Sequence, residues 1–205
     1  MTETGADSGV RPLRADARRN RARVLEAARA AFAAEGLAVP LDEIARRAGV
    51  GAGTVYRHFP TKEALFEAVI VDRLDFLADE AGRAVAAAER GGADAGAVQA
   101  AFFGFLALMI ADAGSKKDLA DALAGAGVDL QAVTLHSAGR LRGHLEDLLA
   151  RAQAAGAVRP EVDTGDLHAV VFGALAAEQR RADSERPGRI AGLVCDGLRP
   201  LGQRP

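Results

Sequence analysis

A chain of 205 residues, 49% hydrophobic and 26% charged, is long enough to bury a sizeable core as one or two domains of a globular, soluble protein. Abundant Ala, scarce β-branched and aromatic residues and no Trp favour an all-α fold, while the longest uncharged apolar stretch, Ala100 to Ala111, is about a dozen residues against the roughly 20 that cross a bilayer. The net charge of −2 hides an asymmetry of +6 over residues 11–62 and −6 over residues 63–205, a basic module on an acidic body as expected where one end meets nucleic acid.

Residues 1–14 are expected to form a disordered arm; the first ten are polar and acidic, without the basic start and apolar run of a signal peptide, which points to the cytoplasm. Val24, Leu25, Ala28, Ala31 and Phe32 repeat at helical spacing and predict a first helix from Ala15 to Glu35, stopped at Gly36. Pro40 then precedes Leu41, Ile44, Ala45 and Ala48, a helix of two turns that Gly49 can end by adopting positive φ. Gly51 to Phe59 forms the next short segment. Pro60 breaks it, and Thr61 caps a long helix reaching about Ala88.

After a Gly-rich break at Gly91 to Gly96, the stretch from Ala100 to Ala111 is apolar all round and should be the centre of a second domain. Ser115 and Asp118 resemble a capping box for a short helix to about Leu123, interrupted by Gly125 and Gly127. A long helix from Leu130 to Ala154 buries Ser137, Leu141, Leu145, Leu148 and Leu149, and a connector at Val158 to Val162 follows its stop near Gly156. The helix from about Asp166 to Ala182 has a core face of Leu167, Val170, Val171, Ala174 and Leu175. Ala169, Phe172, Gly173 and Ala176 give it a second apolar stripe. With a last helix from Pro187 to Arg199 carrying Ile190, Leu193, Val194 and Leu198, it is expected to form a four-helix homodimer interface that includes Gly173, Ala176 and Leu193.

Two short helices joined through Gly49 and packed on a longer one match the helix-turn-helix plan. At about 100° per residue, Ala52, Val55 and Phe59 point inward from the second of them, and Gly53, Thr54 and Arg57 outward. Tyr56 and His58 fall on its flanks, within reach of phosphates on either wall of a major groove. Gly53 costs up to about 1 kcal/mol of helix stability but permits close backbone approach, and Lys62 sits in a first helical turn, where a cation is disfavoured unless a phosphate compensates.

The run Leu41-Asp-Glu-Ile-Ala-Arg-Arg-Ala-Gly-Val-Gly-Ala-Gly-Thr-Val-Tyr-Arg-His-Phe-Pro-Thr-Lys-Glu-Ala-Leu65 resembles the TetR family of bacterial regulators, and the likeness extends over about Asn20 to Leu77. It implies a DNA-binding domain at 17–77, with the motif at about 40–59, and a ligand-binding and dimerisation domain at 78–200. It also implies a recognition helix at about Ala52 to His58, phosphate contacts from Tyr56, His58 and Lys62, and base-edge or nearby phosphate contacts from Thr54 and Arg57. Pro40 and Leu41 stand where many members carry a hydroxyl residue at the start of the second helix.

Elsewhere, His136, Arg140 and His144 share a stripe with poor metal-ligand spacing and are taken as a solvated polar face, and Asp163 and Asp166 as caps. The single Cys195 cannot form an internal disulfide or a CxxC site. No catalytic or phosphate-loop motif and no cofactor signature is recognisable, so no enzymatic activity is expected. Phe102, Phe105 and Met109 are core residues or the lining of a small-molecule cavity. The resulting reading is a homodimeric regulator, a repressor that leaves double-stranded operator DNA when a small-molecule effector binds. The alternative is a small-ligand binding protein on the same scaffold.

Overall fold

The computed structural model describes residues 10–92, 94–114, 130–180 and 188–200, and every regular element among them is a helix. Helix α1 spans Val10–Glu35, followed by a single 3₁₀ turn at Gly36–Ala38, α2 at Leu41–Ala48, α3 at Ala52–His58 and α4 at Lys62–Gly91. Then come α5 at Ala95–Gly114, α6 at Leu130–Ala154, α7 at Thr164–Arg180 and α8 at Arg189–Leu198. Among the described residues no helix is long and apolar enough to cross a membrane.

Helix α1 starts five residues before the expected Ala15, so residues 10–14 belong to it and not to an arm. Pro12 does not oppose this, because a first-turn residue has no intrahelical acceptor for an N–H. The capping box at Ser115, the glycines at 125 and 127 and the expected helix start at Pro187 lie outside the described residues.

Local chemistry fixes the ends of the helices. At the end of α2, Gly49 takes φ 62° and donates its N–H to the Arg46 carbonyl at 3.1 Å, while Val50 donates to the Ala45 carbonyl at 3.1 Å. That is a Schellman stop, for which glycine is the ready residue because a Cβ opposes the left-handed region. Gly156 repeats it after α6, with its N–H on the Gln153 carbonyl at 2.9 Å and the Ala157 N–H on that of Ala152 at 2.8 Å. The Thr61 hydroxyl accepts from the Ala64 N–H at 3.1 Å and opens α4. Asp163 and Asp166 cap α7 reciprocally, each carboxylate accepting the other's backbone N–H, at 2.7 and 3.2 Å.

Two cores result. Val24, Ala28 and Phe32 of α1 close with Ile44, Val55 and Phe59 on Leu65, Phe66 and Val69 of α4, with Phe32 and Phe66 edge to face at 5.6 Å. The second core gathers Ala78, Ala81 and Val85 of α4 with Phe102, Leu106 and Ile110 of α5, Leu148 of α6, Leu167 of α7 and Ala191 of α8. Among the described residues only α4 serves both, and Leu74 packs against each.

Helices α4 and α6 are also joined by polar contacts. The Ser137 hydroxyl donates to Asp75 at 2.7 Å, and Arg140 bridges Asp75 at 3.3 Å and Asp79 at 2.5 Å. Arg140 therefore leaves the purely solvated face expected for it, and His144 lies against Gly82, where an added Cβ would stand 3.3 Å from its Nε2. In the N-terminal unit Glu43 accepts from Arg46 and Arg47, and Arg47 reaches on to Glu35 at 2.5 Å.

Replacing Gly49 by Ala should destabilise the N-terminal unit by at least about 1–2 kcal/mol, because the left-handed conformation is strained for any other residue and the new Cβ would collide with the Arg23 guanidinium. Denaturant melts read this directly, and wild-type stability in that variant would refute the turn geometry. The hydrogen bonds from Arg46 and Arg47 lower the Glu43 pKa from 4.5 to about 2. A depressed carboxylate pKa stabilises the fold above pH 4.5, and that contribution is lost as pH falls through about 2. Carboxyl chemical shifts should show Glu43 titrating well below the exposed glutamates.

Candidate nucleic-acid interface

Helix α3 is anchored from below by two side chains, Val55 and Phe59, both buried, with Arg21 stacked 5.5 Å above the Phe59 ring. Its first turn closes through the Thr54 and Val55 N–H groups on the Gly51 carbonyl at 2.9 and 3.4 Å. Arg23 reaches from α1 and donates to the Gly49 carbonyl at 3.2 Å, so the turn between α2 and α3 is held from outside as well as by its own backbone.

On this base the residues singled out in the sequence stand together. Gly53, Tyr56, Arg57 and His58 are exposed and Thr54 is half-buried on the outer side of α3. Nothing lies within 4 Å of the position a Cβ on Gly53 would take, so its missing side chain answers no neighbour inside the chain. Ala52, placed inward by periodicity, is exposed, because as the first residue of a seven-residue helix it lies beyond the reach of the core below.

Three contacts were not legible in the sequence. The Tyr56 hydroxyl faces Asp42 in the first turn of α2, and the charge of that carboxylate, some desolvation and a hydrogen bond to it raise the phenol's pKa. Lys62 donates from Nζ to the Leu37 carbonyl at 2.7 Å, tying α4 to the 3₁₀ turn after α1. This contact relieves part of the penalty of a cation in a first helical turn, which the sequence had left for a phosphate to compensate. Pro40 precedes α2 with no side-chain cap, its carbonyl accepting the Ile44 N–H at 3.2 Å. Arg57 makes no ion pair among the described residues.

In the second domain a cavity of about 320 Å³ opens where α6 and α7 diverge over α4 and α5. Leu74 and Leu77 of α4, Leu141 and Leu145 of α6, and Leu167 and Val171 of α7 supply its apolar walls. Met109 lines it, and Phe102 and Phe105 do not. Both are buried in the solid part of the second core, Phe102 edge to face with Phe103 at 5.1 Å. Arg142, Thr164, His168 and Phe172 complete the cavity, none of them identified from sequence as lining residues. Among the described residues no cluster of His, Cys, Asp and Glu could hold a metal.

The outward side of α7 carries Ala169, Phe172 and Gly173 exposed and Ala176 half-buried, and Leu193 of α8 is 57% exposed. Val170, placed on the core face by periodicity, is exposed too, because α7 turns that position away from α5. Cys195 is buried, and desolvation raises its thiol pKa, which makes it unreactive.

Residues 24–69 match the family model for bacterial regulatory proteins of the tetR family, and residues 97–200 match that for the C-terminal domain of SbtR-like transcriptional regulators. The chain is similar to the crystal structure of a TetR transcription regulatory protein from Mycobacterium vanbaalenii, at 45% identity and a TM-score of 0.72 over 92% of this chain and all of that one. It is also similar to the TetR transcriptional regulator SCO0520 from Streptomyces coelicolor, at 35% identity and a TM-score of 0.66 over 88% of this chain and 99% of that one. Among curated relatives, the uncharacterized HTH-type regulator TtgW of Pseudomonas putida is 41% identical over 76 residues, which are 34% of this chain and 57% of that protein. The chain thus spans little more than half the length of that relative, and 36% of the regulator SrpR from the same species.

If Gly53 is kept for close approach to a duplex, Gly53→Ala should raise thermal stability, by up to about 1 kcal/mol, while weakening binding to DNA. A variant that gains stability with unchanged DNA affinity would leave Gly53 no part in the interface.

Proposed function

The chain belongs to the TetR family of bacterial regulatory proteins, and from that premise we propose that it is a homodimeric, sequence-specific DNA-binding regulator, a repressor released from its operator by a small molecule. The observation that carries this reading is the outer face of α3, where Gly53, Thr54, Tyr56, Arg57 and His58 stand together on a helix fixed by the Gly49 turn and the Val55 and Phe59 anchors.

Thr54 and Arg57 face the floor of a major groove and read base edges. Tyr56, His58 and Lys62 meet phosphates and set the register. To do so Tyr56 turns its one hydroxyl proton from Asp42 to the phosphate. Lys62 has one of its three donors on Leu37 and keeps the others for DNA. Two such units related by a dyad require half-sites about one helical turn apart, hence a roughly palindromic operator. The effector would act by binding the DNA-incompetent spacing of the two recognition helices better than the competent one.

Fluorescence anisotropy on duplexes from the protein's own promoter and on random DNA separates these roles. Thr54→Ala and Arg57→Ala should each cost roughly 1–3 kcal/mol on the operator and relax base preference at one position per half-site. Tyr56→Phe, His58→Ala and Lys62→Ala should weaken operator and random DNA alike, Lys62→Ala lowering the salt slope by about one unit. Equal losses on every sequence from Thr54→Ala and Arg57→Ala would sink the proposed orientation of α3.

The dimer is assigned to the outward faces of α7 and α8, where Phe172 and Leu193 are more than half exposed and, among the described residues, none lies within 4 Å of a Cβ built on Gly173. Isolated domains seldom leave such an apolar face in water. Gly173→Arg or Ala176→Arg should give monomers by light scattering, and a dimer that survives both would move the interface elsewhere.

A further inference from the structure

The cavity between α6 and α7 has a chemistry more specific than apolar. Its lining is mostly apolar, with Arg142, Thr164 and His168 as the polar members and no carboxylate among the described lining residues. Arg142 is exposed, and no hydrogen bond or ion pair engages it among the described residues. Among the other described arginines of the domain, Arg83, Arg140, Arg151, Arg159 and Arg199 each pair with an acidic side chain, while Arg90 and Arg189 are unpaired like Arg142 but do not line the cavity. The nearest acids in sequence to the α7 rim, Asp163 and Asp166, are committed to capping each other's backbone N–H groups.

We propose that this cavity takes an amphipathic carboxylate, its apolar body against Met109, Leu141 and Leu145 and its carboxylate on Arg142, with Thr164 and His168 beside it. The inference rests on the reading above that an effector occupies the second domain. A guanidinium offers paired N–H donors that match a carboxylate's two oxygens, a fit that neither an alcohol nor an amine reproduces. The volume, about 320 Å³, falls at the small end of ligand pockets, which run from about 300 to 1,000 Å³. That suits a medium-chain or single-ring acid rather than a bulky polycycle. Arg142 stands one helical turn from Ala138 and from Leu145, which line the same cavity, so head and body of the ligand meet one face of a single helix.

The test is calorimetric titration of the full chain with two matched pairs, decanoate against decanol and 4-phenylbutyrate against 4-phenylbutanol, on wild type and on Arg142→Gln, with thermal melts to verify folding. At least one acid should bind wild type tenfold or more tighter than its alcohol, and Arg142→Gln should abolish that preference while leaving alcohol binding in place. Alcohols that bind as well as acids would overturn the carboxylate class while leaving an effector cavity standing. No binding by any of the four probes would overturn this proposal and count against the cavity as an effector site. A preference for acids that survives Arg142→Gln would remove Arg142 as the anchor. Should that variant not fold, the wild-type comparison of acid with alcohol still decides the class.

Discussion

Everything in this molecule hangs on α4, a single helix of 30 residues that enters both hydrophobic cores. Leu65, Phe66 and Val69 seat its first turns among α1 to α3, and Ala78, Ala81 and Val85 seat its later turns among the helices of the second domain. Sharp helix kinks need a Pro, a Gly/Ser pair or an inserted group, and the stretch from Ile70 to Leu77 between the cores has none of these residues. A tilt imposed on one end of α4 is therefore delivered to the other as a rigid rotation. Leu74 belongs to the contact shell of both cores and to the wall of the cavity, and one residue on, Asp75 receives Ser137 and Arg140 from α6. Whatever separates α6 from α4 must break or carry those bonds, so occupation of the cavity has a mechanical route to α3.

The charge division reads differently once partners are known. Of the cations that make the N-terminal module basic, Arg46 and Arg47 are held by Glu43 within α2, and Arg47 also reaches Glu35 and braces α2 against α1. Arg23 fixes the turn through the Gly49 carbonyl, and Arg21 covers Phe59. Arg57 stays without an ion pair among the described residues. The excess of positive charge thus has two uses, the larger one architectural. Asp42 beside the Tyr56 hydroxyl is the counterweight: a phosphate meeting that hydroxyl comes well within the roughly 10 Å over which salt screens, so it must displace the carboxylate's hold on the phenol.

The sequence was most legible where the physics is local. Gly49, Thr61 and the Asp163/Asp166 pair act on backbone groups within a few residues of themselves, and the structure makes each a cap or stop as expected. Val55 and Phe59 were legible because a helix with one wet face has a periodic signal. Phe102 and Phe105 were not, because α5 is apolar on every side and periodicity without contrast cannot distinguish solid core from cavity wall. The cavity itself is a product of topology. Leu74, Met109, Arg142 and His168 come from four helices, and only their mutual placement reveals that Arg142 is the charged group at an apolar hole. Lys62 eluded the reading for a related reason, since a long side chain finding a carbonyl 25 residues away leaves no trace in spacing.

Phe172 connects the two proposals. It lines the cavity, packs against the His168 ring at 4.7 Å, and is 60% exposed on the face assigned to the dimer, next to Gly173. In a dimer built on that face, the Phe172 ring would be a wall shared by the cavity and the subunit contact, so its rotamer is felt on both sides. A carboxylate held at His168 and Arg142, as proposed, would displace or pin that ring, and with it the angle at which two copies of α7 would cross. In such a dimer the separation of the two α3 helices would depend on that angle as well as on the tilt of α4. On the proposed dimer and effector site, coupling between effector and operator would have two physical routes, one within each subunit and one across the dyad, and linkage would require that DNA bound at α3 disfavour the occupied cavity by the same free energy.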